Sequence, residues 1–518
     1  MKKLITFEEA VGLIKDGDTI AASGFMLATV AREMMVNIGE SFQETGHPKD
    51  LTVYQGAGIG NNKDQGTYEY SFKGAIKRYV TGHYANNQRM IEMVNNNEVE
   101  SYNFPQGVIS HLYRQRAGGK DFEITQIGLK TYCDPRLSGG KMNEKTTEDL
   151  VELIEIDGKE YLKYKAPMID VGIIRGTTSD EFGNITMEEE SAYIDALDIA
   201  MAAKASGGKV IAQVKNIVSS SSIDRQQVVV PGVFVDAVVQ TTNPEEYHRQ
   251  TPGSFYDPLI AGHYKSDLFS FKDMNLDARK VIARRAAMEC KEDIVVNLGI
   301  GIPEGVASVA NEEGLSGMVL TIESGLIGGF PLGGFDFGSA VNSWAGLPMT
   351  SQFDYYNHGG LDITFLGFAE VNPMGDINVS RFGSRIAGCG GFIDITQSTK
   401  NIVFCGTLTA GGLEVAVEDG KLKIIQEGRR KKFLPTIEQV TYSAEFGLEN
   451  GQNVLFITER CVFKPSEKGL VLVEVAPGID IQKDIIDQMD FKPIIADNVE
   501  TMDERLFKNA LMGLANNK

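Results

Sequence analysis

The residues best suited to chemistry lie in one run, Leu320-Thr321-Ile322-Glu323-Ser324-Gly325-Leu326-Ile327-Gly328-Gly329. The apolar segment Met318 to Ile322 reads as a buried strand. A carboxylate follows at its end, and then glycines that let backbone approach another group closely. In open α/β sheets, ligands collect beyond the carboxyl ends of the strands. Glu323 is therefore expected to face a ligand, the alternative being a solvated residue in a turn.

Two further glycine clusters compete for attention. Gly299-Ile300-Gly301-Ile302-Pro303-Glu304-Gly305 follows a strand-like segment and opens a helical one, Val306 to Asn311. Free N–H groups at a helix start suit a phosphate. With Glu323 22 residues beyond Gly301, the arrangement mimics a dinucleotide-binding fingerprint and keeps an NAD-dependent dehydrogenase in view. The third glycine comes one residue late, however, and Pro303 sits inside the turn. The second cluster, Gly388-Cys389-Gly390-Gly391, offers successive unhindered N–H groups that could hold an oxyanion, or a plain turn between strands. Cys389 has no histidine nearby in sequence to activate it and reads as a packed thiol. The six histidines show no metal-ligand spacing, so no metal site is expected.

These clusters need elements to hold them, and the chain alternates strand and helix from its start. Helical spacing over residues 7–16 gives way to a strand at Thr19 to Ser23, helical spacing at Val30 to Ile38, and a strand at Leu51 to Tyr54. Strands are expected again at Val171 to Ile174, Lys209 to Val214 and Val228 to Val230. The second half restarts the pattern with a helix from Ala278 to Cys290 and a strand from Ile294 to Leu298. Three local matches run in the same order: residues 17–20 with 292–295, Leu51–Gly56 with Leu320–Gly325, and Gly74–Gly82 with Gly359–Gly367. The expectation is α/β: two related open domains with largely parallel sheets, and an active site in the cleft between them. Residues 1–245 and 276–518 form the two domains, the second carrying the reactive Glu, with 246–275 as linker.

Composition bounds the partners. A net charge of −20 argues against nucleic acid, because phosphate binding needs a basic surface. The one dense basic run, Arg429 to Lys432, is flanked by acids and reads as a solvated turn. No apolar run reaches the roughly 20 residues that span a bilayer, and no signal peptide is legible, so no membrane partner is expected. Five scattered cysteines without CxxC pairing favour a reducing, cytoplasmic setting.

Gly299–Ala307, Glu323-Ser324-Gly325 and Gly388–Gly391 together closely resemble the family I CoA-transferases, and most of all the single-chain short-chain acyl (propionate or acetate) CoA-transferases. The resemblance runs nearly end to end and takes in Phe104-Pro105-Gln106-Gly107, Thr131 to Arg136, Arg175-Gly176-Thr177 and Glu474 to Gly478. Oxoacid-specific members carry Glu-Asn-Gly where this chain has Glu-Ser-Gly. The resemblance implies ping-pong exchange of CoA between a short-chain acyl-CoA and a free carboxylic acid such as acetate, with Glu323 as nucleophile. It implies Gly388, Gly390 and Gly391 as oxyanion donors with Gln106 as a further candidate, and Gly299, Gly301 and Pro303 along the CoA channel. CoA would be substrate and covalent intermediate, with no permanently bound cofactor, in a homo-oligomer of two or four chains. A short-chain acyl-CoA hydrolase on the same scaffold is the nearest alternative.

Overall fold

Parallel strands buried on both faces read as near-continuous apolar runs, and the strand Val171–Asp180, with all ten residues buried, is the plainest case. The computed structural model describes residues 3–268, 271 and 273–516. Phe269, Ser270 and Lys272 of the expected linker, and Met1, Lys2, Asn517 and Lys518 at the ends, lie outside the described residues.

The chain forms two compact units. The first comprises residues 1–266, 322–355 and 382–394, and the second 267–321, 356–381 and 395–518. Two segments of the second half of the sequence, 322–355 and 382–394, thus belong to the first unit, Glu323 and Gly388–Gly391 among them.

In the first unit, β1 (Thr19–Ala22), β2 (Leu51–Gln55), β3 (Ile76–Thr81), β4 (Glu100–Asn103), β5 (Val171–Asp180), β6 (Lys209–Val218) and β7 (Ala237–Gln240) lie in the order β7-β6-β5-β1-β2-β3-β4. Every pairing along that path is parallel. The connecting helices include α1 (Phe7–Val11), α2 (Arg32–Thr45), α3 (Gln88–Asn95), α4 (Gln106–Ala117) and α5 (Ala196–Ala205). Thr6 and Glu9 close a reciprocal cap at the start of α1, which is shorter than the periodicity over 7–16 suggests. Inside β5, Arg175 is only 2% exposed and is balanced by Glu190 at 2.9 Å, so a buried charge there has its partner.

In the second unit, α6 (Ala278–Ala287) starts at Asp277, whose side chain accepts the N–H groups of Arg279 and Lys280. Then follow β8 (Val295–Leu298), α7 (Glu304–Glu312), β9 (Val319–Thr321), β10 (Ile363–Gly367), β11 (Asn401–Cys405), β12 (Asn453–Ile457), β13 (Cys461–Ser466), β14 (Gly469–Val475) and β15 (Ile494–Thr501). The order is β9-β8-β10-β11-β12-β13-β14-β15. It is parallel from β9 to β12 and antiparallel through β12-β13-β14. Val281, Ala283, Val296, Val306, Phe365 and Val403 pack at the centre of its core.

The local sequence matches equate β1 with β8, β2 with β9 and β3 with β10. Their neighbours differ. β2 lies between β1 and β3 in the first sheet, whereas β8 lies between β9 and β10 in the second. An apolar strand running into a glycine turn recurs in any parallel sheet and carries no information on which strand it pairs with. The basic run also departs from expectation. Arg430–Lys431 is a short strand paired with Thr409–Ala410, and Lys432 is 8% exposed with its Nζ 3.8 Å from the Phe368 ring centre. Burial pushes the Lys432 ammonium down to about 7.

Candidate active site

Glu323 sits at the tip of a turn fixed from both sides. The Ile322 N–H donates to Leu326 O at 2.9 Å and the Gly325 N–H to Ile322 O at 3.0 Å. Gly325 has φ +106°, and a Cβ there would stand 1.9 Å from Leu347 O, so only glycine fits. Ser324 is fully buried, and its hydroxyl donates to Gly338 O at 2.6 Å. The residue between Glu and Gly in the motif is therefore an anchor for the turn.

The Glu323 side chain is half-buried. Desolvation pushes its carboxyl from an ordinary value of 4.5 up to about 7, opposed only by a hydrogen bond from its own backbone N–H. A carboxylate poised near neutrality combines appreciable ionisation with higher basicity than an ordinary Glu, which suits a nucleophile.

Gly391 lies against it. A Cβ on Gly391 would be 3.0 Å from Glu323 Cγ, 3.3 Å from its Oε1 and 3.2 Å from Phe353 Cζ. Phe353 is fully buried on α8 (Met349–Asn357). The glycine loop leads directly into α9 (Phe392–Ser398) after the short strand Arg385–Ile386, so it is not a turn between two strands.

A set of hydrogen bonds locks the loop to the end of β4 and the start of α4. Tyr84 N–H donates to Ala387 O at 2.7 Å, Cys389 N–H to Asn103 Oδ1 at 3.0 Å, and Gly390 N–H to Gly82 O at 2.7 Å. Gln106 N–H donates in turn to Gly390 O at 2.9 Å. The Tyr132 hydroxyl also donates to Asn103 Oδ1. The motifs 104–107 and 131–136 thus prove to be the mount of the loop. The consequence for Gly390 is a correction: its N–H is committed to Gly82 and is not available to an oxyanion. The Gly388 and Gly391 N–H groups take no protein partner among the described residues.

The Gln106 carboxamide donates to Met349 Sδ at 3.1 Å, and a Cβ on Gly390 would stand 3.8 Å from its Oε1. Cys389 is buried, and its thiol is directed at Phe104 O at 3.4 Å. Burial holds that thiol far above its ordinary range, consistent with a packed group.

Gly299, Gly301 and Pro303 belong to the second unit. Gly299 N–H donates to Phe365 O at 2.8 Å, Gly301 has φ +90° with open space at its Cβ position, and Pro303 caps α7. Arg279 Nη2 donates to Gly301 O at 3.0 Å, bringing a guanidinium to this turn that the glycine spacing gave no hint of.

Sequence reasoning also missed Phe353, Asn103 and Asp394. Asp394 is fully buried, and its Oδ2 accepts the Gly107 N–H at 3.1 Å. A Cβ on Gly107 would stand 2.4 Å from Asp394 Oδ1 and 2.6 Å from the Phe353 ring. An Asp three residues after a glycine cluster was the available signal.

Comparison with known proteins places this geometry in context. The Coenzyme A transferase family model matches residues 4–241. The chain is 44% identical to a caffeate CoA-transferase of Acetobacterium woodii, over 99% of both chains. It is 42% identical to the acetate CoA-transferase YdiF of Escherichia coli, over 98% of this chain and 96% of the other. The crystal structure of acyl-CoA transferase YdiF apoenzyme superposes with a TM-score of 0.92 at 41% identity, covering 98% of this chain and 97% of that one.

Proposed function

The chain belongs to the coenzyme A transferase family and is a CoA-transferase, and from that premise we propose that it works by ping-pong exchange through Glu323. In this reading the Glu323 carboxylate attacks the thioester carbonyl of an acyl-CoA, giving an acyl-glutamyl anhydride and CoA thiolate. The thiolate attacks the glutamyl carbonyl, expels the first acid as its carboxylate and leaves a glutamyl-CoA thioester. A second carboxylate reverses both steps and departs as acyl-CoA. No step consumes water, so the thioester energy passes intact from donor to acceptor.

The observation that carries the reading is the Glu323 carboxyl, pushed up to about 7 on a fixed turn against Gly391. A solved structure of the Escherichia coli relative, 41% identical, is described as a thioester complex with CoA, which supports the covalent intermediate. Each attack creates an oxyanion, and loss of one fixed donor to such a group costs about 3–4 kcal/mol. Gly391 and Gly388, whose N–H groups take no partner among the described residues, and the Gln106 carboxamide are the candidate donors. Gly299, Gly301 and Pro303 are assigned to CoA, where the turn backbone would meet the cofactor.

The substrates proposed are propionyl-, acetyl-, butyryl- or lactoyl-CoA with acetate or a similar acid. Because the 44% relative is named for caffeate, caffeate is the acceptor to set beside acetate. A homo-oligomer of two or four chains in the cytoplasm completes the reading, which the free state of all five cysteines suits. Among the described residues no helix is long and apolar enough to cross a membrane.

Intact mass after mixing with propionyl-CoA tests the mechanism. The expected result is an adduct of one CoA on the wild type, absent from Glu323→Gln and discharged by acetate. An adduct that decays without any acid would make the protein a hydrolase, and no adduct with any short acyl-CoA would overturn the covalent mechanism.

A further inference from the structure

We propose that Asp394 is a positioning residue for Glu323: a fully buried carboxyl that couples to it electrostatically and, through Gly107, holds the glycine loop beside it. The inference rests on the reading of Glu323 as nucleophile.

The geometry has three parts. Asp394 is fully buried on the first turn of α9, immediately after the loop, so it moves with Gly391. Its Oδ2 accepts the Gly107 N–H at 3.1 Å, next to the Gln106 N–H that donates to Gly390 O at 2.9 Å. One carboxyl therefore ties the start of α4 to the loop. The Phe353 ring meets both centres: it lies 2.6 Å from the Cβ position of Gly107, beside Asp394 Oδ1, and 3.2 Å from that of Gly391, beside Glu323. Neither glycine can gain a side chain without driving into this ring.

Asp394 Oδ1 is the unexplained atom. It is buried and has no hydrogen-bond partner among the described residues. A buried carboxylate with one neutral donor is a poor home for a full charge. Desolvation pushes the group up to about 7; the Gly107 N–H, the His111 charge and its own backbone N–H oppose that, and the Glu323 charge adds to it. The other ionisable groups that feel Asp394 are Cys133, Cys389 and Tyr164, all held above their ordinary ranges by burial. Among the described residues, His111 on α4, itself 2.9 Å from the Asp354 carboxylate that raises its pKa, is the group in this circle that brings positive charge when protonated.

The Glu323 charge disfavours ionisation of Asp394, so the two carboxyls do not ionise independently. A protonated Asp394 then lets Glu323 carry the single negative charge that nucleophilic attack needs. When Glu323 becomes a thioester its charge is gone, and Asp394 ionises more readily. The coupling is reciprocal, so it is readable from either carboxyl.

Infrared pH titration of protein labelled with 13C-aspartate reads it from the Asp394 side without any turnover. The expected result is an aspartic acid band that persists to near neutrality in the wild type and ionises at lower pH in Glu323→Gln. Buried Asp195, whose carboxyl burial pushes well above the ordinary carboxylate range, serves as the internal control whose band does not respond to Glu323→Gln. An unchanged midpoint in Glu323→Gln would overturn the coupling. Asp394→Asn reads it from the other side, because the amide keeps an acceptor for Gly107 N–H while removing the charge. Single-turnover formation of the CoA adduct should then show its acid limb displaced to lower pH through the neutral range, about twofold faster than the wild type near pH 7.5 and little changed at pH 6, where Asp394 is already protonated. A limb superimposable on the wild type would refute the electrostatic role, leaving a mere structural tie. If the wild type forms no CoA adduct, the nucleophile reading fails, and the infrared titration still decides whether the two carboxyls are coupled.

Discussion

At pH 8 the Glu323→Gln protein should be more stable than the wild type by about 3 kcal/mol, and at pH 4 the two should be alike. The folded protein holds the Glu323 carboxyl at about 7 against an ordinary 4.5, because desolvation disfavours its charged form. At about 1.4 kcal/mol per pH unit, that displacement costs the ionised wild type about 3 kcal/mol. The sign follows from proton binding. Between pH 4.5 and 7 the folded state holds a proton that the unfolded chain has lost, so wild-type stability falls as pH rises through this window. Below it both states are protonated, and Gln, which never ionises, shows no advantage. Urea unfolding at half-unit pH intervals for both proteins is the assay. The same carboxyl sets the rate: single-turnover thioester formation should fall about tenfold per pH unit below pH 6 and level off above pH 8. Equal stabilities at pH 8 together with a rate flat from pH 5.5 to 8 would refute the argument, since both would mean an ordinary, solvated glutamate.

Gly107→Ala forces a methyl to within 2.4 Å of Asp394 Oδ1 and 2.6 Å of the Phe353 ring, so overpacking of about 1–3 kcal/mol should appear as a lowered urea midpoint. Ser324→Ala removes the buried hydrogen bond to Gly338 O; the expected loss is about 1–3 kcal/mol, with a drop in kcat as the Glu323 turn loosens, checked by unfolding and steady-state kinetics side by side. In the second unit, Arg460→Met leaves the fully buried Glu459 without its guanidinium, at a cost of about 3–5 kcal/mol in chemical denaturation.

The strands were legible because a strand buried on both faces must be apolar along its length. Leu51 and Lys209 begin strands where the pattern places them, and Val228–Val230 is a strand over the same three residues. Which strands pair was not legible. The register Ile20↔Val53 and the register Val296↔Leu320 belong to sheets with different neighbours, despite nearly matching local sequences. Lys432 was misplaced for a related reason, since four basic residues in a row give no sign that one of them folds over Phe368.

For the candidate site, the sequence by itself determined the chemistry-bearing types: a lone carboxylate at a strand end followed by glycine, and a second glycine cluster far along the chain. A turn such as 322–325 depends on local backbone freedom, and local freedom is written residue by residue. Only the tertiary structure decided which loop N–H groups remain free, because Gly390 gives its own to Gly82, over 300 residues away in sequence. Only it brought Asp394 to Gly107 and Phe353 to Gly391. The carboxyl at about 7 belongs to the same class of fact: desolvation is a property of everything packed around Glu323, and no short stretch of sequence contains it.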